Sequence, residues 1–284
     1  MMNKTTYLQV SIFLISCLLV FSCQETKKNG KLFIIGGGEI SSAVIDKMIT
    51  ESSVNNGGYG VILPMSSEEP DTAAFYTRAD FIGRACNNVY GLSFKKGETF
   101  PESRIDSIRK AKMIFISGGD QARFMDIIKG SEIQNAIHYA FDNGALVCGT
   151  SAGAALMSKK MITGNELKYL LSDGAFKTIE TGNIEIIEGL GMLETVIIDQ
   201  HFIKRKRLNR LISVCIENPV NPCVGIDEST AILVEGRKAT VYGENQVIVL
   251  RNSSPEIKIE NGLLGVENIS LSVYLPGQSF SLNN

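Results

Sequence analysis

The sequence predicts an α/β fold: a mostly parallel sheet covered by helices on both faces, with β-hairpins toward the C-terminus. Three observations predict it. From Lys31 onward, short apolar runs alternate with amphipathic helical stretches, as in strand–helix–strand units. The short runs are apolar throughout, as strands buried on both faces are. The glycine-rich turns at 36–38, 118–119 and 149–153 all follow such runs, at the strand ends where open α/β sheets build their sites.

In chain order, "KLFIIGGGE" is the first strand and "SSAVIDKMITES" a helix with Val44, Ile45, Met48 and Ile49 on one face, capped by Ser41 or Ser42. "YGVILPMSS" is the second strand, "DTAAFYTRADFIGRACNN" a helix and "VYGLSF" the third strand. "ESRIDSIRKA" is helical, and "KMIFISGGDQ" is the fourth strand. "ARFMDIIKGSEIQNAIHYAFDNG" makes one broken helix or two. "ALVCGTSAG" is the fifth strand, with a helix following through Met157. After Thr163 the rhythm changes: a loop or hairpin excursion, then the strand "TVIIDQHF" and an amphipathic helix "KRKRLNRLISVCIEN" with Leu208, Leu211, Ile212 and Cys215 on one face. "VGIDESTAILVEGRKATVYGENQVIVLR" reads as hairpins turning at Glu235-Gly236 and Gly243-Glu244, and "LSVYLPGQSFSLNN" as a closing strand.

The 284 residues are 44% hydrophobic, enough for a full-sized core. No linker divides 31–284, so this region is expected to be one domain. The net charge of -2 offers no basic field for nucleic acid. "IIGGGEI" lacks the third glycine of a dinucleotide fingerprint, which disfavours a Rossmann cofactor site. No Cys-x-x-Cys pair is present, so no metal site is expected.

The first residues have a different character. Lys4 precedes the largely apolar "YLQVSIFLISCLLVFSC", which is short for a membrane span and ends at Cys23 after Val20, Phe21 and Ser22. The pattern looks like a bacterial lipoprotein signal: residues 1–22 removed, Cys23 lipidated and 23–30 a short linker. An exported protein anchored to a membrane is therefore expected. Export permits disulfides among Cys86, Cys148, Cys215 and Cys223; Cys148, just before a tight turn, reads as a small buried residue.

The chemistry centres on Gly149-Thr150-Ser151-Ala152-Gly153. Gly-x-Ser-x-Gly between an apolar strand and a helix is the context of a nucleophile on a strained turn. A serine nucleophile needs a base, and the chain has only two histidines. His138 lies in a helical pattern, whereas His201 follows an apolar strand, so His201 is the candidate base. A carboxylate should orient the imidazole; Glu166, Asp199, Asp227 and Glu228 are candidates, and spacing does not choose among them. Amides of the 118–119 turn and of Ala152 could receive an oxyanion, and Asp120 could cap the following helix. Lys204, Arg205, Lys206, Arg207 and Arg210 crowd the stretch after His201, where arginines could pair with a substrate carboxylate.

Four segments together, "FISGGDQARF", "GTSAGAALMS", "IDQHFIKRKRLNRL" and "GIDESTAILVEG", resemble the motifs of cyanophycinases. These are serine exopeptidases related to dipeptidase E, on a class I glutamine amidotransferase-like sheet. The resemblance runs from about Lys31 to the C-terminus. It implies Ser151 as nucleophile, His201 as base and Glu166 as the third member, with Glu228 as second choice or pocket residue. It implies Gly119 and Ala152 as oxyanion donors, and substrate-binding roles for Asp120, Gln121, Asp199, Gln200, Arg205, Arg207 and Arg210. The implied reaction is hydrolysis of β-aspartyl bonds in a peptide with a free carboxylate, through an acyl-enzyme and without a cofactor. Homodimers are common in that family. Ala155 and Leu156 depart from its smaller or more polar residues after the serine, "KYLLSDGAFKTIETGNIE" is this chain's own, and a lipoprotein signal is foreign to digestion of an intracellular granule.

Overall fold

The computed structural model describes residues 30–169, 176–254 and 256–283. Cys23 and the expected signal segment lie outside them. No helix among the described residues is long and apolar enough to cross a membrane.

Five strands form the parallel part of the main sheet: β1 (Lys31–Ile35), β2 (Gly60–Leu63), β3 (Val89–Gly91), β4 (Met113–Ile116) and β5 (Leu146–Thr150). These are the five expected. Their helices are α1 (Ser42–Ser52), α2 (Pro70–Ile82), α3 (Glu102–Arg109), α4 (Gln121–Ile128) and α5 (Glu132–Asp142). The broken helical stretch thus resolves as two helices. The break lies at Gly130-Ser131, where the Ser131 hydroxyl accepts the Ile133 and Gln134 amides at 3.2 and 3.5 Å. α6 (Ala152–Ala155) is a single turn, shorter than expected.

β6 (Lys160–Glu166) and β7 (Ile184–Glu188) form a hairpin of their own. Then β8 (Ile197–Asp199), α7 (Leu208–Glu217), β9 (Cys223–Ile226), β10 (Thr230–Glu235), β11 (Lys238–Gly243), β12 (Val247–Asn252), β13 (Ile257–Glu260), β14 (Leu263–Val266), β15 (Ile269–Tyr274) and β16 (Ser279–Ser281) complete the fold. The main sheet runs β16-β11-β10-β1-β5-β4-β2-β3, its three late strands joining antiparallel beside β1. A second sheet runs β15-β12-β9-β8.

Three expectations change here. The basic run 204–207 is a turn rather than helix: Asp227 Oδ1 takes the amides of Ile203 and Lys204 at 3.0 and 2.9 Å, Lys206 is left-handed (φ 54°), and α7 starts only at Leu208. The turn at Gly243-Glu244 connects two sheets instead of closing a hairpin, since β11 pairs β10 while β12 pairs β9 and β15. The tail likewise splits between sheets, β15 in the second and β16 in the first.

Apolar clusters cover both faces of the main sheet. One, with Ile34, Ile114, Ile116 and Val147, lies under α3–α6; the other, with Phe33, Phe115 and Cys148, lies under α1 and α2. A third packs α7 onto the second sheet through Leu211, Val214, Cys215 and Cys223. The four described cysteines are buried free thiols.

Candidate active site

Ser151 follows β5 directly and has φ 53° and ψ -111°, outside the comfortable regions for a side-chain-bearing residue. Packing enforces this. Its amide donates to the Ile35 carbonyl at 3.0 Å, tying the turn to the end of β1. A methyl group at Gly149 would fall 2.2 Å from the Gly153 carbonyl oxygen, so the turn closes only because residue 149 has no side chain.

His201 lies just past β8, also at positive φ (47°), and its amide donates to the Gly36 carbonyl at 2.7 Å. Its Nε2 stands 2.8 Å from Ser151 Oγ. Its ring rests on Gly37, where a methyl group would come 2.4 Å from Cε1 and 2.5 Å from Nε2. The glycine run 36–38, which made no cofactor fingerprint, is thus a bed for the imidazole. Sequence reasoning placed these glycines at a functional edge without finding this role; only the ring above them reveals it.

The carboxylate bonded to His201 is Glu228, with Oε1 2.6 Å from Nδ1. This corrects the expectation of Glu166. Glu166 ends β6 in the separate hairpin, where it is buried and accepts from Asn183 Nδ2 at 2.8 Å. Glu228 instead sits in the turn from β9 to β10, which passes over the end of β1. Asn245 Nδ2 and Thr230 Oγ1 hold its main-chain oxygen at 2.9 and 3.1 Å. Asp227, another of the sequence candidates, braces the 203–204 amides.

Burial pushes the His201 pKa below the ordinary imidazole value; the Glu228 hydrogen bond opposes this, while Arg205 and Arg207 add to it. The hydrogen bond from His201 in turn lowers the Glu228 pKa. Near neutral pH the pair is therefore a neutral imidazole on a carboxylate. With its Nδ1–H donated to the Glu228 carboxylate, the ring turns a basic Nε2 toward Ser151.

The 118–119 turn after β4 abuts the serine: a methyl group at Gly118 would lie 3.8 Å from Ser151 Oγ. Gly119, at φ 134°, leads into Asp120, whose amide donates to the Ser66 carbonyl at 2.8 Å. The Asp120 carboxylate caps α4, accepting the Ala122 and Arg123 amides at 2.7 and 3.1 Å. Ser66 is a residue the sequence did not flag; it is fully buried behind this turn.

The other expected pocket residues are largely engaged with one another. Gln121 Nε2 donates to the Ile162 and Thr163 carbonyls at 2.9 and 2.5 Å, fastening β6 to α4. Arg210 is 1% exposed and makes a two-pronged pair with Asp199, Nε to Oδ2 at 2.8 Å and the second prong from Nη2 to Oδ1. Asp199 Oδ1 also accepts the Gln200 amide at 2.7 Å. Arg207 donates to the Gln200 carbonyl and side-chain oxygens, both at 2.8 Å. Burial, with Arg210 nearby, pulls the Arg207 pKa down to about 10. These four residues form a frame beneath the His201 turn, whereas Arg205 is exposed and close enough to act on the imidazole. His138 is a half-buried residue of α5. Among the described residues no group of three or more His, Cys, Asp or Glu could hold a metal ion.

A model of peptidase family S51 matches residues 32–242. A cyanophycinase of Nostoc sp. is 28% identical over 264 residues, covering 88% of this chain and 85% of that protein. A cyanophycinase of Synechococcus elongatus is 27% identical over 282 residues, covering 91% and 81%. The crystal structure of a peptidase from an acI-B1 Actinobacterium superposes with a TM-score of 0.65 at 20% identity, covering 90% of this chain and 98% of that one.

Proposed function

We propose, for a chain that belongs to peptidase family S51 and is therefore a serine peptidase, that Ser151, His201 and Glu228 are its catalytic triad and that it hydrolyses β-aspartyl peptide bonds. The observation that carries this reading is the unbroken series Ser151 Oγ–His201 Nε2–His201 Nδ1–Glu228 Oε1, at 2.8 and 2.6 Å. The cyanophycinases among its relatives support the β-aspartyl linkage, whether in a cyanophycin-like polymer or an isoaspartyl peptide.

In this mechanism His201 Nε2 takes the Ser151 proton as Oγ bonds to the aspartyl carbonyl carbon. The amides of Gly119 and Ala152 receive the oxyanion. The imidazolium, stabilised by Glu228, returns its proton to the amine nitrogen as the C–N bond breaks. Water then adds to the acyl ester, giving a proton to His201, which passes it to Ser151 Oγ as the C–O bond breaks. Arg205 receives the substrate's free carboxylate, and the Asp199–Gln200–Arg207–Arg210 frame holds the turn that carries Arg205 and His201. The test is amino-acid release from β-aspartyl dipeptides and from a cyanophycin-type polymer. Ser151→Ala should lower kcat by about 10⁴-fold or more; full activity in that variant would refute the mechanism.

We further propose that the chain is exported and lipid-anchored through Cys23, on the strength of the 7–23 pattern. Mass spectrometry of the N-terminal peptide should find a lipid-modified cysteine, and Cys23→Ala should move the protein out of the membrane fraction. An unmodified Cys23 in membrane-bound protein would sink this reading.

A further inference from the structure

We infer that a cleft between α1, α2 and the carboxyl ends of β4 and β5 seats an uncharged apolar side chain of the substrate, on the residue joined to the aspartyl group. The inference rests on the peptidase reaction proposed at Ser151.

The cleft holds about 230 Å³; the more exposed Ile40, Ala73 and Tyr76 line it, and the buried Met48, Phe81 and Phe115 close it from beneath. That is room for one side chain rather than a larger ligand, whose pockets start at roughly 300 Å³. It closes against Gly118 and Thr150, the two residues that flank Ser151 in space and in sequence. A methyl group at Gly118 would stand 3.3 Å from Ser151 Cβ. A side chain in the cleft therefore belongs to a residue at the scissile bond.

The two ends of the site differ in charge. At the His201 end, Lys204 and Arg205 are exposed and basic. The cleft at the other end has Asp80 in its lining, and Glu39 lies close enough to act on that carboxyl. A carboxylate-bearing aspartyl group is drawn to the basic end and repelled from the cleft. The residue left to enter the cleft meets aliphatic and aromatic walls. The carboxylates near them reject an acidic side chain, so the walls select and the carboxylates exclude. Of the wall residues only Phe115 belongs to one of the four motifs that carry the reaction, as the first residue of "FISGGDQARF".

The experiment compares the full-length enzyme on β-aspartyl-glycine, -leucine, -phenylalanine, -arginine and -glutamate. Leucyl and phenylalanyl substrates should exceed the glycyl one in kcat/KM by about 10- to 100-fold, with arginyl below leucyl and glutamyl lowest. Ala73→Leu, which fills the cleft from α2, should bring the leucyl-to-glycyl ratio toward one. Met48→Ala, which deepens it, should raise the phenylalanyl-to-leucyl ratio. Ratios taken within one variant do not depend on how much of it folds. Glycyl, leucyl and phenylalanyl rates within about 3-fold of one another would overturn the inference while leaving the peptidase reading intact. So would a preference for arginine, which would give selection to Asp80 instead of the walls. No hydrolysis of any of these peptides by the unaltered enzyme would overturn both.

Discussion

Replacing Glu228 with glutamine tests the assignment of the acid where sequence and structure part. The change keeps the shape of the side chain and removes its charge. In the resting enzyme little is lost, because a neutral imidazole bonds to an amide oxygen nearly as well. The loss appears in the transition state, when His201 becomes positive. Opposite charges about 4 Å apart at an effective dielectric near 20 attract by roughly 4 kcal/mol. The Glu228 side chain is 25% exposed, so solvent screens part of this, and about 2–4 kcal/mol is expected. That corresponds to a fall in kcat of roughly 30- to 1000-fold. Glu228→Gln also removes the influence that raises the His201 pKa, so the acid limb of the profile should move to lower pH. The assay is kcat and kcat/KM for Glu228→Gln and Glu166→Gln on one β-aspartyl substrate, from about pH 5 to 9. Glu166→Gln should stay within a few-fold of the unaltered enzyme. Equal losses in the two variants, or full activity in Glu228→Gln, would refute the reasoning.

Two further outcomes follow from the same geometry. Gly37→Ala should cut kcat by about 10²-fold, because the methyl group displaces the imidazole by an ångström or so; steady-state kinetics alongside thermal unfolding will separate this from loss of fold. Arg210→Met removes the two-pronged partner of buried Asp199 and leaves it only Arg207 at 3.8 Å and the Gln200 amide, costing about 3 kcal/mol and lowering Tm by roughly 10 °C. Calorimetry should then show Asp199→Asn with Arg210→Met recovering much of that loss.

The parallel sheet was legible because its signal is local: apolar runs, helical periodicity and glycine turns lie in consecutive residues. Ser151 and His201 were legible for the same reason, each at a strand end, helped by the scarcity of histidine. Glu228 stood among four open candidates, because which carboxylate reaches an imidazole depends on where a distant turn crosses the sheet. The resemblance then pointed to Glu166, on the premise that the acid follows the serine in the next excursion. Among the described residues that excursion pairs β6 with β7 and touches β14, outside both larger sheets, and it holds Glu166 against Asn183. The arginines show a similar limit: composition revealed a basic cluster, but burial turned Arg210 inward onto Asp199 and left Arg205 outside. The second sheet escaped the sequence because β11 and β12 are separated by a turn that looks like any hairpin turn.

That second sheet has a consequence for how the enzyme can vary. Ser151 hangs from β5 in the main sheet, while His201 leaves β8 and Glu228 leaves β9, both in the second. The 2.8 Å contact between serine and histidine is therefore a gauge of how the two sheets are seated. Their seam, where β9 runs on into β10, is in the proposed mechanism the joint whose tolerance limits the reaction. A slip there of a fraction of an ångström would disarm the enzyme with every hydrogen bond inside each sheet intact. Substitutions along the seam, which itself carries Glu228, should thus trade activity against little else.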